Sequence, residues 1–318
     1  MGKTILVTGG AGFIGSHLAK KLMDLGSEVI IVDNFNSYYE LSLKERRISE
    51  FLAGYKFKLY KAEITDSENL RKIFEENKID TICHLASQAG VRHSIEHPFE
   101  HERANISGTL NLLELAKDFK IGRFIFVSSG SVYGNAKMPY SEEKSKEMPI
   151  SPYGVTKRAA ELFGYSYHIT YNLPVTVLRY FNVYGPWGRP DAAYFKFTKN
   201  IIEGKPIDVY NFGKMKRTFS YIDDIVAGTI AAINKNFPCE IFNLGNDRQI
   251  DLNYFIECIE KNLGIQAKKN YLPLQAGDLV EVQIDISKAK KMLNFQPKIE
   301  VEEGVRRFIE WYKNYYKI

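Results

Sequence analysis

One stretch near the start of the chain limits its fold more than any other. Residues 4–18 read Thr-Ile-Leu-Val-Thr-Gly-Gly-Ala-Gly-Phe-Ile-Gly-Ser-His-Leu. A short apolar run, Ile5 to Val7, ends in a glycine turn, and a helical pattern follows at once. Gly9, Gly12 and Gly15 stand three apart. In a strand–turn–helix unit the first glycine permits the tight turn and the second lets a pyrophosphate approach the backbone. The third lets the helix pack closely on its strand. The helix N-terminus then offers free N–H groups and a positive dipole end to phosphates. A glycine triplet alone is a weak signal, but here the next apolar run, Val29 to Val32, ends in Asp33. A carboxylate at that place accepts both ribose hydroxyls of an adenosine and repels a 2′-phosphate, which favours NAD over NADP.

The same alternation continues along the chain. Strands are expected near 4–8, 29–33, 57–60, 80–85, 123–128 and 175–181, and helices near 13–25, 40–53, 67–77, 100–118 and 152–171. Strands that alternate with helices make an α/β protein with a parallel, doubly wound sheet of the Rossmann type. A strand near 240–244 is expected to return to it. Residues 1–182 then read as the NAD-binding domain. Residues 183–318 read mainly as a smaller substrate-binding lobe over the C-terminal edge of the sheet, where such folds bind ligands. The helical spacing of Val301 to Tyr316 places a last helix on that lobe.

The 318 residues, 45% hydrophobic and 25% charged, suffice for a large core. The net charge of +5 is dispersed without a basic block, which argues against nucleic acid as a partner. No apolar run approaches the roughly 18–20 residues of a membrane span. The chain enters its first strand at once, so a leader segment is not expected. Cys83, Cys239 and Cys258 are too scattered for a disulfide framework or a metal cluster, as in a cytoplasmic protein. His93, His97 and His101 recur every fourth residue, but Pro98 interrupts any helix that would stack them, so no metal site is expected there.

Ser151-Pro-Tyr-Gly-Val-Thr-Lys157 opens a helix, with Ser151 suited to the N-cap and Pro152 to the first turn. Tyr153 and Lys157 are four apart and share a face. A free tyrosine, with a pKa near 10, is a poor base at neutral pH. A lysine ammonium and a nicotinium ring nearby would favour the phenolate. The pair can then take a proton from an alcohol while hydride leaves the same carbon. An aromatic and a solvated lysine on an amphipathic helix is the plainer alternative. Phe124-Ile-Phe-Val-Ser-Ser-Gly-Ser-Val-Tyr-Gly134 ends a strand in hydroxyl residues at the ligand edge. Ser129 is placed to hydrogen-bond the reacting oxygen, or it is simply a polar strand exit.

Together these segments resemble the extended short-chain dehydrogenase/reductases, in their nucleotide-sugar branch. The resemblance runs the length of the chain and includes Thr8–Gly15, Asp33-Asn34, His84-Leu-Ala86, Ser128–Gly134, Tyr153-x-x-x-Lys157 and Arg179-Tyr-Phe-Asn-Val-Tyr-Gly185. Ala89-Gly-Val-Arg92, Gly185-Pro-Trp-Gly-Arg-Pro-Asp191, Phe195–Lys199, Ile207–Arg217, Tyr221-Ile-Asp-Asp224 and Leu272-Pro-Leu-Gln-Ala-Gly-Asp278 are most similar to the UDP-glucuronate 4-epimerases. The resemblance implies a tightly bound NAD that is regenerated each turnover. It would be held by Gly9, Gly12, Phe13, Ile14, Gly15, Asp33, Asn34, Glu63, Ile64, Leu85, Ala86, Tyr153 and Lys157. It implies Ser129, Tyr153 and Lys157 as the catalytic set. Arg92, Ser129, Ser131, Tyr153, Asn182, Arg189, Tyr210, Arg217 and Asp278 would face the UDP-sugar. Arg217 suits a diphosphate, because a guanidinium makes bidentate contacts to phosphate. Tyr210 stacks on uracil or is core, and Arg92 is a ligand contact or structural. A homodimer built on the helices near 100–118 and 152–171 is implied as well.

Three positions depart from that pattern. Gly130 stands where the uronate enzymes usually carry serine, Asn182 where they carry threonine, and Glu63 where the family commonly has aspartate. The first two resemble epimerases of neutral UDP-hexoses or UDP-N-acetylhexosamines, which are the alternative substrates. Dehydratases of the same branch carry an Asp-Glu pair after the catalytic hydroxyl residue, and uronate decarboxylases carry Glu at the place of Ser131. Gly130-Ser131 leaves a 4-keto intermediate with no acid for elimination or decarboxylation. The expected reaction is therefore 4-epimerisation of UDP-glucuronate and UDP-galacturonate. A non-catalytic NAD-sensing protein and a simple dehydrogenase are the rivals from other classes.

Overall fold

The computed structural model describes residues 2–235, 237–275 and 278–318. Seven strands form one parallel sheet: β1 (Thr4–Thr8), β2 (Glu28–Asp33), β3 (Lys58–Lys61), β4 (Thr81–His84), β5 (Arg123–Ser129), β6 (Val175–Tyr180) and β7 (Cys239–Leu244). Their order is β7-β6-β5-β4-β1-β2-β3. The chain moves outward from β1 in one direction and then in the other, so a crevice opens at the C-terminal ends of β1 and β4, where the order reverses.

The strands are apolar on both faces because both faces are covered. Ile5, Val7, Val29 and Ile31 belong to one core, packed with Leu18, Ala19 and Leu22 of α1 (Phe13–Asp24). Leu6, Ile30, Val32, Ile82 and Phe124 point the other way. They meet Leu70 and Phe74 of α2 (Ser67–Glu75), Leu112 and Leu113 of α3 (Gly108–Asp118) and Ala160 of α4 (Pro152–Tyr171). Each fully buried Leu, Ile or Phe contributes about 1.5–3 kcal/mol, so this alternation fixes the register of the sheet.

Most elements lie within a residue or two of the sequence expectation, with two exceptions. The helix expected over 40–53 is Leu41–Arg46 followed by a wider, π-type turn at Arg47–Phe51. The helix expected over 100–118 is broken into Pro98–Glu102, a π-type turn at Arg103–Ser107, and α3. No described helix is long and apolar enough to cross a membrane.

Beyond β6 the chain makes α5 (Ala193–Ile202), α6 (Ile222–Asn234), α7 (Leu252–Leu263) and α8 (Val301–Tyr316). α6 packs beside α1 on the sheet, so residues 222–244 return to the first half of the molecule. α8 covers α5 and α7 with aromatic contacts such as Phe195–Tyr312, at 5.1 Å between ring centres. Short pairings of 183–184 with 220–221 and of 207–210 with 269–272 hold the rest above the crevice.

Candidate active site

The crevice holds a cavity of about 660 Å³, within the usual range for a cofactor site. Its floor is the glycine turn. Gly9 has φ +70°, a region open to glycine at little cost, and a Cβ there would meet the Ala86 backbone at 2.8 Å. A Cβ on Gly15 would lie 2.1 Å from the Gly9 carbonyl, so the helix packs on its strand only because both residues lack one. No side chain caps α1, and Gly12, Phe13, Ile14 and Gly15 line the cavity. The first-turn N–H groups are therefore available to an anion.

Asp33 is buried at the end of β2, and Oδ2 accepts from the Ala11 N–H at 3.1 Å while Oδ1 accepts from the Phe35 N–H at 2.9 Å. Each oxygen keeps a lone pair for a ligand hydroxyl. Asn34 donates to Glu63 at 2.7 Å, so the glutamate at the family's aspartate position is held in the cavity wall beside Ile64, with Leu85 and Ala86 also in that wall. An anion cradle, a ribose-directed carboxylate and a crevice of this volume fit a dinucleotide.

Two basic residues here carry no sequence signal that singled them out. Lys44 lies in the cavity wall, donates to Asn36 and is attracted by Asp33. Arg47 is fully buried and donates to the carbonyls of Ala11, Trp187 and Gly188 and to the Tyr39 hydroxyl.

Ser129 ends β5, and its Oγ accepts from the Ser131 N–H at 3.2 Å. Ser151 caps α4 by accepting from the Gly154 N–H at 3.2 Å, with Pro152 in the first turn, as the sequence indicates. This cap sets the face that carries Tyr153 and Lys157 into the cavity. Lys157 is buried, and its ammonium donates to the Val127 carbonyl at 2.8 Å.

The electrostatics differ from the expected pairing. Burial pushes the Tyr153 phenol above its usual value, while the Ser129 hydroxyl and the Arg189 guanidinium pull it down. Burial lowers the Lys157 ammonium to about 7, with Glu161 opposing. Desolvation thus outweighs the attraction of neighbouring groups at both residues.

This depression has a measurable consequence. The unfolded chain binds the Lys157 proton more tightly than the folded chain, over the range between about 7 and the ordinary 10.5. Stability attributable to Lys157 therefore rises with pH through that window, by up to about 1.4 kcal/mol per pH unit. In urea unfolding of cofactor-free protein, wild type should gain on Lys157→Met as pH rises. Parallel pH curves for the two proteins would refute the depressed ammonium.

Below the site lies a buried ionic network. Glu161, four residues after Lys157, accepts from Ser128 Oγ at 2.6 Å and from Arg179 through Nε at 2.9 Å and Nη2 at 2.7 Å. Arg179 also reaches Glu147 at 2.9 Å and lies over the Tyr133 ring. Burial draws the Arg179 guanidinium down, but Glu161 raises it above its ordinary range.

A second cavity of about 160 Å³ adjoins the first and is lined by Ser129, Ser131, Asn182, Arg217 and Asp278, among others. Ser129 and Asn182 line both. Arg189 lines the larger cavity and is paired with Asp191 at 2.5 Å and 3.0 Å. Arg217 spends three hydrogens on the carbonyls of Lys216, Leu279 and Val280, which leaves two of its five donors for a ligand. Arg92 and Tyr210 line neither cavity. Arg92 pairs with Asp278 at 3.0 Å and lies over the Tyr210 ring at 4.9 Å, beside the mouth of the smaller one. Ala276 and Gly277 of the Leu272–Asp278 motif lie outside the described residues.

Two departures from the uronate pattern have local causes. A Cβ on Gly130 would stand 2.2 Å from Phe181 Cε1, so the ring occupies the space a serine needs. Asn182 has φ +38°, where asparagine is tolerated and a β-branched threonine is strained.

Residues 5–245 match the model of the NAD dependent epimerase/dehydratase family. The chain belongs to that family. It is 45% identical over 309 residues to a UDP-glucuronate 4-epimerase of Thermodesulfobacterium geofontis, covering 97% of this chain and 95% of that one. It superposes on the UDP-glucuronic acid 4-epimerase of Bacillus cereus, solved with UDP-glucuronic acid and NAD, with a TM-score of 0.92. The two are 36% identical, and the match covers 98% of this chain and 100% of the other. A UDP-glucose 4-epimerase of Thermotoga maritima, solved with UDP-glucose, matches with a TM-score of 0.88 at 33% identity, covering 98% and 99%. In this chain the Gly9–Gly15 turn, Ser129 at the end of β5, and Tyr153 and Lys157 on α4 line one cavity.

Proposed function

We propose that this chain is an NAD-dependent 4-epimerase, an isomerase that interconverts UDP-glucuronate and UDP-galacturonate. The observation that carries this reading is the meeting of the two cavities at Ser129, with Tyr153 and Lys157 in the wall and no carboxylate at 130 or 131. The relatives named for UDP-glucuronate support the uronate. The steric causes at Gly130 and Asn182 remove the main reason to prefer a neutral sugar.

A bound NAD would supply a reversible hydride acceptor for C4 of the sugar. It would be held by the Gly9–Gly15 turn, Asp33, Asn34, Glu63, Ile64, Leu85 and Ala86. Tyr153 takes the 4-OH proton as phenolate and later returns it, and Ser129 Oγ holds the reacting oxygen. Ser129 and Arg189 favour that phenolate against the burial that opposes it, and Lys157, as ammonium, holds the nicotinamide ribose. Asn182, Arg189 and Ser131 face the sugar, and Arg217, with Asp278 beside it, keeps the diphosphate fixed. Arg217 would hold the diphosphate while the sugar ring turns, and Gly130-Ser131 supply no acid for elimination from a 4-keto sugar.

Purified protein incubated with single UDP-sugars and followed by proton NMR tests the substrate. UDP-glucuronate should yield UDP-galacturonate without net NADH absorbance. Conversion of UDP-galactose but not UDP-glucuronate would overturn the assignment. We read residues 1–182, with β7, as the cofactor unit and 183–318 mainly as the sugar unit.

The same protein is proposed to be a homodimer. Leu162, Tyr165 and Ile169 of α4 are 52%, 58% and 61% exposed and recur at helical spacing on one face. Such an apolar row suits self-association through helix pairs. Light scattering on wild type should give twice the chain mass, and Leu162→Glu should give the monomer. A monomeric wild type removes this part of the reading.

A further inference from the structure

We propose that His93, His97 and Glu100 form a binding site for a divalent transition-metal ion of the zinc class. Among the described residues they are the group of His, Cys, Asp and Glu whose ligand atoms all lie within 4.8 Å of one another. His93 Nε2 is 3.8 Å from Glu100 Oε2, and His97 Nδ1 is 3.6 Å from Glu100 Oε1. Ligands at about 2.0–2.2 Å around a tetrahedral zinc stand about 3.4 Å apart, so each imidazole nitrogen is near that spacing from its own Glu100 oxygen, and the group as a whole closes from separations of up to 4.8 Å.

Pro98 makes this arrangement rather than preventing it. On a continuous helix His93, His97 and Glu100 would share one face at i, i+4 and i+7, but His93 and Glu100 would stand about two turns, roughly 10 Å, apart. Instead the chain breaks into Val91–Glu96 and Pro98–Glu102, with His97 at φ −128° and ψ 57° between them. The His93 and His97 rings come to lie face to face at 4.4 Å between centres. Their nitrogens are turned to the same carboxylate.

The surroundings suit a metal ligand as well. His93 Nδ1 lies 3.1 Å from Nε2 of the buried His101. When His93 donates from Nδ1, its Nε2 carries a free lone pair on the Glu100 side, the state a metal requires. His97 and Glu100 side chains are 48% and 60% exposed, so an ion can enter and keep water in its remaining positions. Two imidazoles and one carboxylate prefer Zn²⁺, Ni²⁺ or Cu²⁺ to Mg²⁺ or Ca²⁺, which take all-oxygen shells.

The site borders the reaction centre without belonging to it. Glu100 lines the larger cavity, and the His101 ring meets the Tyr153 ring edge-on at 5.9 Å. A bound ion would tie together the two short helices that follow the Leu85–Ala89 wall.

Chelator-treated full-length protein, titrated with ZnCl₂ by calorimetry near neutral pH, tests the proposal. One saturable site per chain is expected, with no response to MgCl₂. The double variant His97→Ala/Glu100→Gln should lose it while keeping the circular dichroism spectrum and melting curve of metal-free wild type. His101→Phe, which removes only the orienting contact, should weaken it by about 10–100-fold. No saturable zinc binding by wild type, or undiminished binding by the double variant, would overturn the site.

Discussion

Tyr153→Phe should lower kcat for epimerisation by roughly 10²- to 10⁴-fold, the usual contribution of a positioned acid–base group, while NAD stays bound. The substitution removes one oxygen and leaves the ring in its place between Ser129 and the His101 edge. Gly9–Gly15 and Asp33, on other elements of the cavity, are untouched, so only the Tyr153 hydroxyl's own contact to the cofactor is lost. The measurement is turnover by NMR together with the cofactor released on denaturation. A fall in kcat with full cofactor content supports proton transfer by this residue. Undiminished turnover would take the mechanism away from Tyr153. Turnover and cofactor lost together would make the hydroxyl a structural anchor.

The second large effect concerns stability. Glu161→Ala should destabilise the fold by about 3–5 kcal/mol, because it removes the doubly bonded carboxylate from a buried guanidinium and leaves that charge only partly compensated. Arg179, fully buried, would keep Glu147 as its carboxylate partner, and Ser128 Oγ would lose its acceptor. For a chain of this size the loss corresponds to a fall of roughly 5–8 °C in Tm. Thermal unfolding of cofactor-free protein measures it. A loss below about 1 kcal/mol would mean that Arg158 and Glu147 rearrange to satisfy the network. The same variant removes the charge that raises Lys157, so its ammonium should drop further.

These two residues mark where the sequence is legible and where it is not. Gly9, Gly12, Gly15, Ser151 and Pro152 act within a few residues of themselves, through φ angles, caps and close approach. Their roles follow from spacing, and so do β1, α1 and the start of α4. Glu161 follows Lys157 at helical spacing, but its worth depends on Arg179 from β6, and no local pattern announces that pairing. Arg47 is harder still, since its acceptors come from the glycine turn and from Trp187–Gly188. The raised phenol of Tyr153 is hidden from the sequence for a related reason. Spacing puts a lysine on its face, but the burial that dominates its ionisation is a property of the packed molecule. Pro98 shows the opposite failure. The helix break is plain in the sequence, whereas the turn it forces, which gathers His93, His97 and Glu100, depends on how the two short helices settle on α4.

Arg47 also bears on how the two ligands sense one another. One guanidinium grips Ala11, in the turn under the dinucleotide cavity, and the carbonyls of Trp187 and Gly188, which lead directly into Arg189. The turn and the loop that carries Arg189 are therefore joined through one side chain. Binding free energies linked in this way are reciprocal, so whatever factor the dinucleotide adds to sugar affinity, the sugar adds to dinucleotide affinity. For the proposed 4-epimerase, the sign of that shared factor decides whether the cofactor is held more or less firmly during the cycle than between cycles.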